Sequence, residues 1–333
     1  LSTIAQPSKE EPTSKPSTHL FSQNVQLTGH SAEVLSCKFS NDGKLLGSAG
    51  MDKSLFLWKA SGSCDNIAAE GPQQRHYEPV LRAYQLAGDT ASADKSLIVW
   101  DIEASKLRKK YKGHTAIVHA VSAPRRLLNL MASASDDALV KVFDTRIKKE
   151  THSFANKYPM TSVCMSETGD KVFAGGIDNV IRCFGLKTGK QEYTMEGHMD
   201  TVSCLALSHD GSFLMSNSFD ETARVWDVRP FVSAPTRLTK VFSGHSQGSE
   251  KSLLKGGWSF DGLYIAVGST DKYKIINCRC VYIWDTTTRK IVQKLGGHIG
   301  TVNEVCFNPK LNLLASCSND KTVVLSELPD IFL

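Results

Sequence analysis

No stretch of the 333-residue chain approaches the roughly 20 consecutive apolar residues that a membrane-crossing helix needs. The phosphate-binding loop of nucleotide hydrolases, the glycine fingerprint of dinucleotide-binding proteins and the strained serine elbow of hydrolases are also missing. Nucleotide-driven and serine-hydrolase chemistry in their usual settings are therefore not expected. Nine cysteines include no CxxC pair; Cys278 and Cys280 come nearest, so neither a metal site nor a cofactor is expected. Cys37, Cys204 and Cys306 sit in the apolar runs VLSCKF, VSCLAL and NEVCF, the habit of buried reduced thiols. Charge of one sign is not in excess either. A net charge of +5 is too mild to imply direct contact with nucleic acid. The basic stretches at residues 106–112, 125–126 and 146–149 lack the interleaved aromatics of a base-stacking platform, so they are expected to be solvated faces.

What the chain does have is a period. Residues 1–19 are rich in Ser, Thr, Pro and charge and poor in bulky apolar groups, the composition of a disordered tail. From residue 20 to 333 one repeating unit recurs. An Asp stands six residues ahead of an aromatic in MDKSLFLW (Asp52, Trp58), ADKSLIVW (Asp94, Trp100) and SFDETARVW (Asp220, Trp226), and the same interval joins Asp137 to Phe143 and Asp178 to Phe184. Positions 58, 100, 143, 184, 226, 284 and 326 are spaced by 42, 43, 41, 42, 58 and 42 residues, and five of these six intervals fall at the period of a WD-repeat propeller blade. The expected fold is all-β: one seven-bladed WD-repeat β-propeller.

Two further series run in phase with the first. Gly-His dipeptides end at His30, His114, His198, His245 and His298, 22 to 26 residues before an Asp, and a hydroxyl residue stands four before the Asp at Ser48, Thr90, Ser133, Ser216 and Ser316. Each unit is expected to close a hydrogen-bonded set in which Asp orients His, the hydroxyl links His onward, and the indole N–H finds a partner. A buried polar group without one costs about 1–3 kcal/mol. The sets are His30, Ser48, Asp52 and Trp58; His76, Thr90, Asp94 and Trp100 in a shortened second unit; His114, Ser133 and Asp137; His198, Ser216, Asp220 and Trp226; and His298, Ser316 and Asp320. The fourth unit has Asn156, Ala174 and Phe184 at these positions, which predicts apolar packing in place of the set.

Too few residues follow Ser326 for another paired strand, whereas SQNVQL at residues 22–27 precedes the first Gly-His; this N-terminal strand is expected to complete the last blade and to remove an exposed sheet edge. The 58-residue interval holds 16 extra residues, and KYKIINCRC, from Lys272 to Cys280, is expected to form a protruding loop.

His, Ser and Asp are the residue types of a hydrolase triad, but a trio repeated four times is structural, so no catalytic residue is assigned. Positions directly before each turn Asp face one end of the ring, and Met51, Ile177 and Phe219 are apolar there, a candidate partner surface.

Several phrases exceed what the fold demands: YTMEGHMDTVSCLALSHDGSFLMSN, RVWDVRPF, GGIDN, VYIWDTTTRKI with GHIGTVNEVCFNP, and LWKASGSCDN. In these the chain resembles the WD-repeat 40-kilodalton subunits of the U5 small nuclear ribonucleoprotein over about residues 21–328. The resemblance implies a nuclear, non-catalytic scaffold in pre-mRNA splicing. The implied partners are the large central scaffold protein and the helicase of that particle, with RNA held indirectly and no membrane or small-molecule substrate. The shortened second unit and the KYKIINCRC insertion depart from the pattern. The competing reading is another nuclear or cytosolic WD-repeat adaptor, of chromatin or of a ubiquitin ligase, gripping a peptide at the central opening, with Glu33, Asp136 and Phe219 as its candidate contacts.

Overall fold

The computed structural model describes residues 24–60, 95–101, 106–125, 129–147, 149–232, 236–248, 251–272 and 279–329. Twenty-five strands and no helix occur among them. The chain opens with β1 (Asn24–Thr28), followed by a first sheet of β2 (Val34–Phe39), β3 (Leu45–Gly50) and β4 (Leu55–Lys59). Of the second sheet, β5 (Ser96–Asp101) and β6 (Lys106–Lys112) are described. The third holds β7 (Val118–Ser122), β8 (Leu130–Ser135), β9 (Leu139–Asp144) and β10 (Glu150–Ala155), and the fourth β11 (Met160–Met165), β12 (Lys171–Gly176), β13 (Ile181–Gly185) and β14 (Lys190–Met195). The fifth is β15 (Val202–Leu207), β16 (Phe213–Ser218), β17 (Thr222–Asp227) and β18 (Leu238–Ser243). The sixth is β19 (Gly256–Trp258), β20 (Tyr264–Lys272), β21 (Arg279–Asp285) and β22 (Ile291–His298). In the seventh, β23 (Val302–Phe307), β24 (Leu313–Ser318) and β25 (Thr322–Glu327) are joined by β1, which pairs antiparallel with β25 from Asn24 opposite Ser326 to Thr28 opposite Thr322. The first strand thus completes the last sheet.

Burial along the strands follows from this stacking. Inner strands lie between two neighbouring sheets and read as continuous buried runs, as in β11 (MTSVCM) and β24 (LLASCS). Outermost strands have one wet face and alternate, as in β10 (ETHSFA). Apolar clusters fill six junctions between consecutive sheets: second to third, third to fourth, fourth to fifth, fifth to sixth, sixth to seventh, and seventh back to first. The last joins Leu27, Cys37, Leu46 and Trp58 to Cys306, Leu313 and Leu325. Sheets approach closely because the second strands end in small residues. A Cβ on Gly175 would stand 2.8 Å from Val202 of the next sheet, and one on Gly268 2.2 Å from the Val302 carbonyl oxygen.

At the insertion in the sixth sheet, Lys272 and Arg279 pair across β20 and β21, and Cys280 is buried, so the two ends of KYKIINCRC belong to the strands; the loop expected between them falls on residues 273–278, which lie outside the described residues. Ladder hydrogen bonds satisfy more backbone groups than a loop would, which favours prolonging the strands. The tail at residues 1–19 and the short second hairpin with His76, Thr90 and Asp94 also lie outside them, as does the side chain of Trp100.

Candidate functional site

At one end of the sheets, each Gly-His turn meets the tight turn that carries the Asp. In the first sheet His30 Nδ1 lies 3.0 Å from Asp52 Oδ2, His30 Nε2 lies 2.9 Å from Ser48 Oγ, and the Trp58 indole donates to the same hydroxyl at 3.0 Å. The fifth sheet repeats this at 2.8, 2.7 and 2.8 Å with His198, Asp220, Ser216 and Trp226. The third (His114, Asp137, Ser133) and seventh (His298, Asp320, Ser316) keep the first two bonds, with Phe143 and Ser326 at the Trp position. Each Asp also accepts the backbone N–H of the residue after the His: Ser31, Thr115, Met199 and Ile299. Carboxylate, imidazole and hydroxyl are all engaged with one another.

The local backbone explains the residue types. Before three of the His residues the chain turns with positive φ, +155° at Gly197, +114° at Gly244 and +143° at Gly297, where a side chain is strained. In six of the seven units the residue after the Asp is left-handed although it is not Gly: Lys53, Lys95, Ala138, Asn179, Glu221 and Lys321 have φ between 60° and 70°. The Asp side chain holds such a turn by accepting the N–H two residues on, as Asp220 Oδ1 does from Thr222 at 3.0 Å.

Electrostatics agree with a structural role. Burial pushes the imidazoles of His30, His114 and His198 below their ordinary pKa, against the pull of the facing Asp, so they are neutral donors at neutral pH. Burial resists ionisation of Asp220 and Asp320, but hydrogen bonds from His198 and Thr222, and from His298 and Thr322, outweigh it and hold both carboxyls far below the usual range.

Two sheets solve the same problem with other residues. In the fourth, the expectation of apolar packing alone is incomplete. Phe154 and Phe184 stack with ring centroids 4.7 Å apart, but Asp178 remains paired, to Arg182 at 2.6 Å and to the Asn156 amide at 3.4 Å. A buried carboxylate has to find a cation or donor, and Arg182 at i+4 supplies it. In the sixth, His245 turns away from Asp271. Its Nε2 donates to Asn217 Oδ1 in the fifth sheet at 2.9 Å, and Asn217 Nδ2 donates in turn to Ser203 Oγ and the Leu254 carbonyl. Asp271 instead accepts the Tyr282 hydroxyl at 2.6 Å. His245 Nδ1 has no partner among the described residues, and burial lowers the imidazole pKa to about 4. Sequence spacing missed Tyr282 and Asn217; the seven extra residues in the interval from Asp271 to Trp284 were the available signal for the first.

The candidate partner surface is uneven. Met51 is 58% exposed and Ile177 46%, whereas Phe219 is half-buried with the Lys251 ammonium 5.8 Å above its ring. Met199, at 83%, and Ile299, at 79%, are the more exposed apolar groups at this end and follow the paired His residues. Asp136 is hydrogen-bonded to His119 Nε2 at 2.7 Å. Of the basic stretches, Lys109 donates to the Thr145 carbonyl, Arg125 approaches Glu167 at 3.4 Å and Arg146 pairs with Asp144 at 2.6 Å. No group of three or more His, Cys, Asp or Glu suited to a metal occurs among the described residues.

Comparison with known proteins gives a consistent picture. The WD domain, G-beta repeat family matches residues 21–59, 105–144, 189–227 and 289–325. The chain is 42% identical over 309 residues to the U5 small nuclear ribonucleoprotein 40 kDa protein of Dictyostelium discoideum, covering 91% of this chain and 84% of that protein. It is 42% identical over 303 residues to the Homo sapiens protein of the same name, covering 91% and 83%. It is 36% identical over 310 residues to the pre-mRNA-splicing factor cwf17 of Schizosaccharomyces pombe, covering 92% and 87%.

Proposed function

We infer that this chain, which belongs to the family of U5 small nuclear ribonucleoprotein 40 kDa proteins, is a protein–protein interaction scaffold of the U5 particle acting in pre-mRNA splicing. The observation that carries the reading is the reach of the likeness: it runs across nearly the whole propeller and most of each relative's length, so a shared module alone does not account for it. The scaffold is non-catalytic and works in the nucleus. Supporting this, the groups that resemble a triad recur in four sheets with their hydrogen-bonding capacity spent inside the fold. Its partners are the large central scaffold protein and the helicase of the particle. They dock on the end bearing Met51, Ile177, Met199 and Ile299, where exposed apolar groups suit a protein rather than a phosphate backbone.

Affinity purification of the tagged protein from nuclear extract, with sequencing of co-purifying RNA and mass spectrometry of proteins, tests the reading. U5 RNA together with the large splicing proteins is the expected result. Association held through proteins changes little with salt, whereas six to ten phosphate contacts would weaken it by about 10³- to 10⁵-fold between 50 and 200 mM. Recovery of chromatin or ubiquitin-ligase proteins without small nuclear RNA would overturn the reading in favour of the adaptor.

A further inference from the structure

At the end that carries the Asp turns, the residue after the Asp differs around the propeller. Lys321, Lys53 and Lys95 hold this position in the seventh, first and second sheets, which follow one another through the closing junction, and all three are exposed. In the third, fourth and fifth sheets the same position is Ala138, Asn179 and Glu221. None of the three lysine side chains has a hydrogen-bond or ion-pair partner among the described residues. Lys112, at the end of β6, adds a fourth exposed cation beside them.

Two of the lysines stand beside an exposed apolar side chain. Met51 shares a turn with Lys53, and Ile299 donates its backbone N–H at 2.9 Å to Asp320, the neighbour of Lys321. Among the described residues of these turns there are three carboxylates. Asp52 and Asp320 are already bonded to His30 and His298 with little of either side chain exposed, which leaves Glu33, partly exposed where the chain enters β2. A partner touching this arc therefore meets four ammonium groups and one open carboxylate. The rest of the end is different. Lys251 is paired with Asp200 at 3.0 Å, Lys157 lies over the Tyr158 ring at 5.4 Å, and Glu196 and Glu221 are exposed near the fifth sheet.

We propose that the partner segment docked across the seventh, first and second sheets is acidic, presenting Asp or Glu to Lys321, Lys53 and Lys95 and apolar side chains to Ile299 and Met51. This rests on the docking end assigned above and adds the chemistry of what docks there. Equivalent positions on facing sheets lie about 10 Å apart, so the acids recur at about that interval, roughly three residues of extended chain. Complementary charge of this kind fixes where along the end the segment settles. A phosphate backbone would meet the same lysines, but it offers nothing for Ile299 and Met51 to cover. Nor do the described residues of these turns expose an aromatic on which a base could stack.

The test uses complexes purified through the tagged full-length protein, whichever proteins they contain. Lysine acetylation by a succinimidyl ester is compared between the complex and the free protein. A water-soluble carbodiimide then joins ammonium groups to carboxylates in direct contact, and mass spectrometry locates the crosslinks. Lys53, Lys95 and Lys321 are expected to react severalfold more slowly in the complex and to crosslink to Asp or Glu of a partner next to apolar residues. Lys53→Glu combined with Lys321→Glu should lower recovery of that partner about tenfold at an unchanged melting temperature. The turn accepts Glu, as Glu221 shows in the fifth sheet, and Lys187→Glu, exposed at the opposite end, should leave recovery unchanged. Protection without a crosslink to any partner carboxylate, or full recovery with the double variant, would overturn the acidic segment and leave the docking end standing. Ultraviolet crosslinks from these lysines to RNA would overturn it in favour of a phosphate track. Unchanged reactivity in the complex would overturn both the segment and the docking end, whereas the identity of the partner bears on the splicing reading alone.

Discussion

The fifth and sixth sheets are adjacent and similar in length, yet they spend the same residue types differently. In the fifth, His198, Ser216, Asp220 and Trp226 bond to one another, and the set is closed within the sheet. In the sixth, the His bonds across the junction to Asn217, and the Asp relies on Tyr282. A unit that departs from the repeat is therefore not simply weaker. It exchanges cohesion within a sheet for cohesion between sheets, and the burden on the Asp differs between the two.

Substitution of that Asp should give the largest contrast. Asp220→Ala strands His198, the Met199 N–H and Thr222 together in a buried site, and should cost about 4 kcal/mol in urea unfolding. Asp271→Ala removes a single bond from Tyr282, whose hydroxyl still has Lys294 at 3.3 Å, and should cost about 1 kcal/mol. Equal losses would erase the distinction between the sheets.

The second contrast is in acid. His245 is held neutral, with a pKa lowered to about 4. The unfolded chain, with an ordinary value near 6.5, takes up its proton first. Stability from this group is full above pH 7, falls as pH drops below 6.5, and has lost about 3 kcal/mol by pH 4. His198 and the other lowered imidazoles slope the same way over this range. Asp220 is the reverse case: depressed in the fold, it holds its contribution down to about pH 4 and loses it only below. His245→Gln, which retains a donor for Asn217, should remove close to one proton from the pH dependence of unfolding between pH 6.5 and 4. An unchanged slope would mean that His245 titrates normally.

Much of this was legible in the sequence. The 42-residue period gave the sheets, and the interval from His30 to Asp52 gave a bonded pair, because residues that meet within one hairpin unit keep a fixed spacing. Pairing of residues 24–28 with the last sheet followed from where the repeat runs out. Contacts between sheets were not legible: Asn217 with His245 and Ser36 with Glu304 join separate units, and no local spacing records them. Arg182 beside Asp178 was within reach at i+4, but apolar neighbours drew the reading toward packing. Exposure of Met199 and Ile299 depends on how the Gly-His turn stands out from the end, which periodicity does not report.

A smaller effect sharpens the role of the turns themselves. Ala138 adopts φ of 61° after Asp137, a conformation that costs an L-residue about 1 kcal/mol and glycine nothing. Ala138→Gly should therefore stabilise the protein by about 0.5–1 kcal/mol in urea unfolding, against the usual penalty for glycine in a sheet. A loss would mean that the turn is not strained.

The most direct measurement follows Asp220→Ala through both folding and assembly: the urea midpoint of the purified variant, and the fraction of it recovered in U5 particles relative to the folded amount. A structural, scaffold role predicts a lowered midpoint with recovery falling in proportion to the folded fraction. An unchanged midpoint with lost recovery would contradict it, because Asp220 would then be acting on a partner or substrate instead of holding its sheet together.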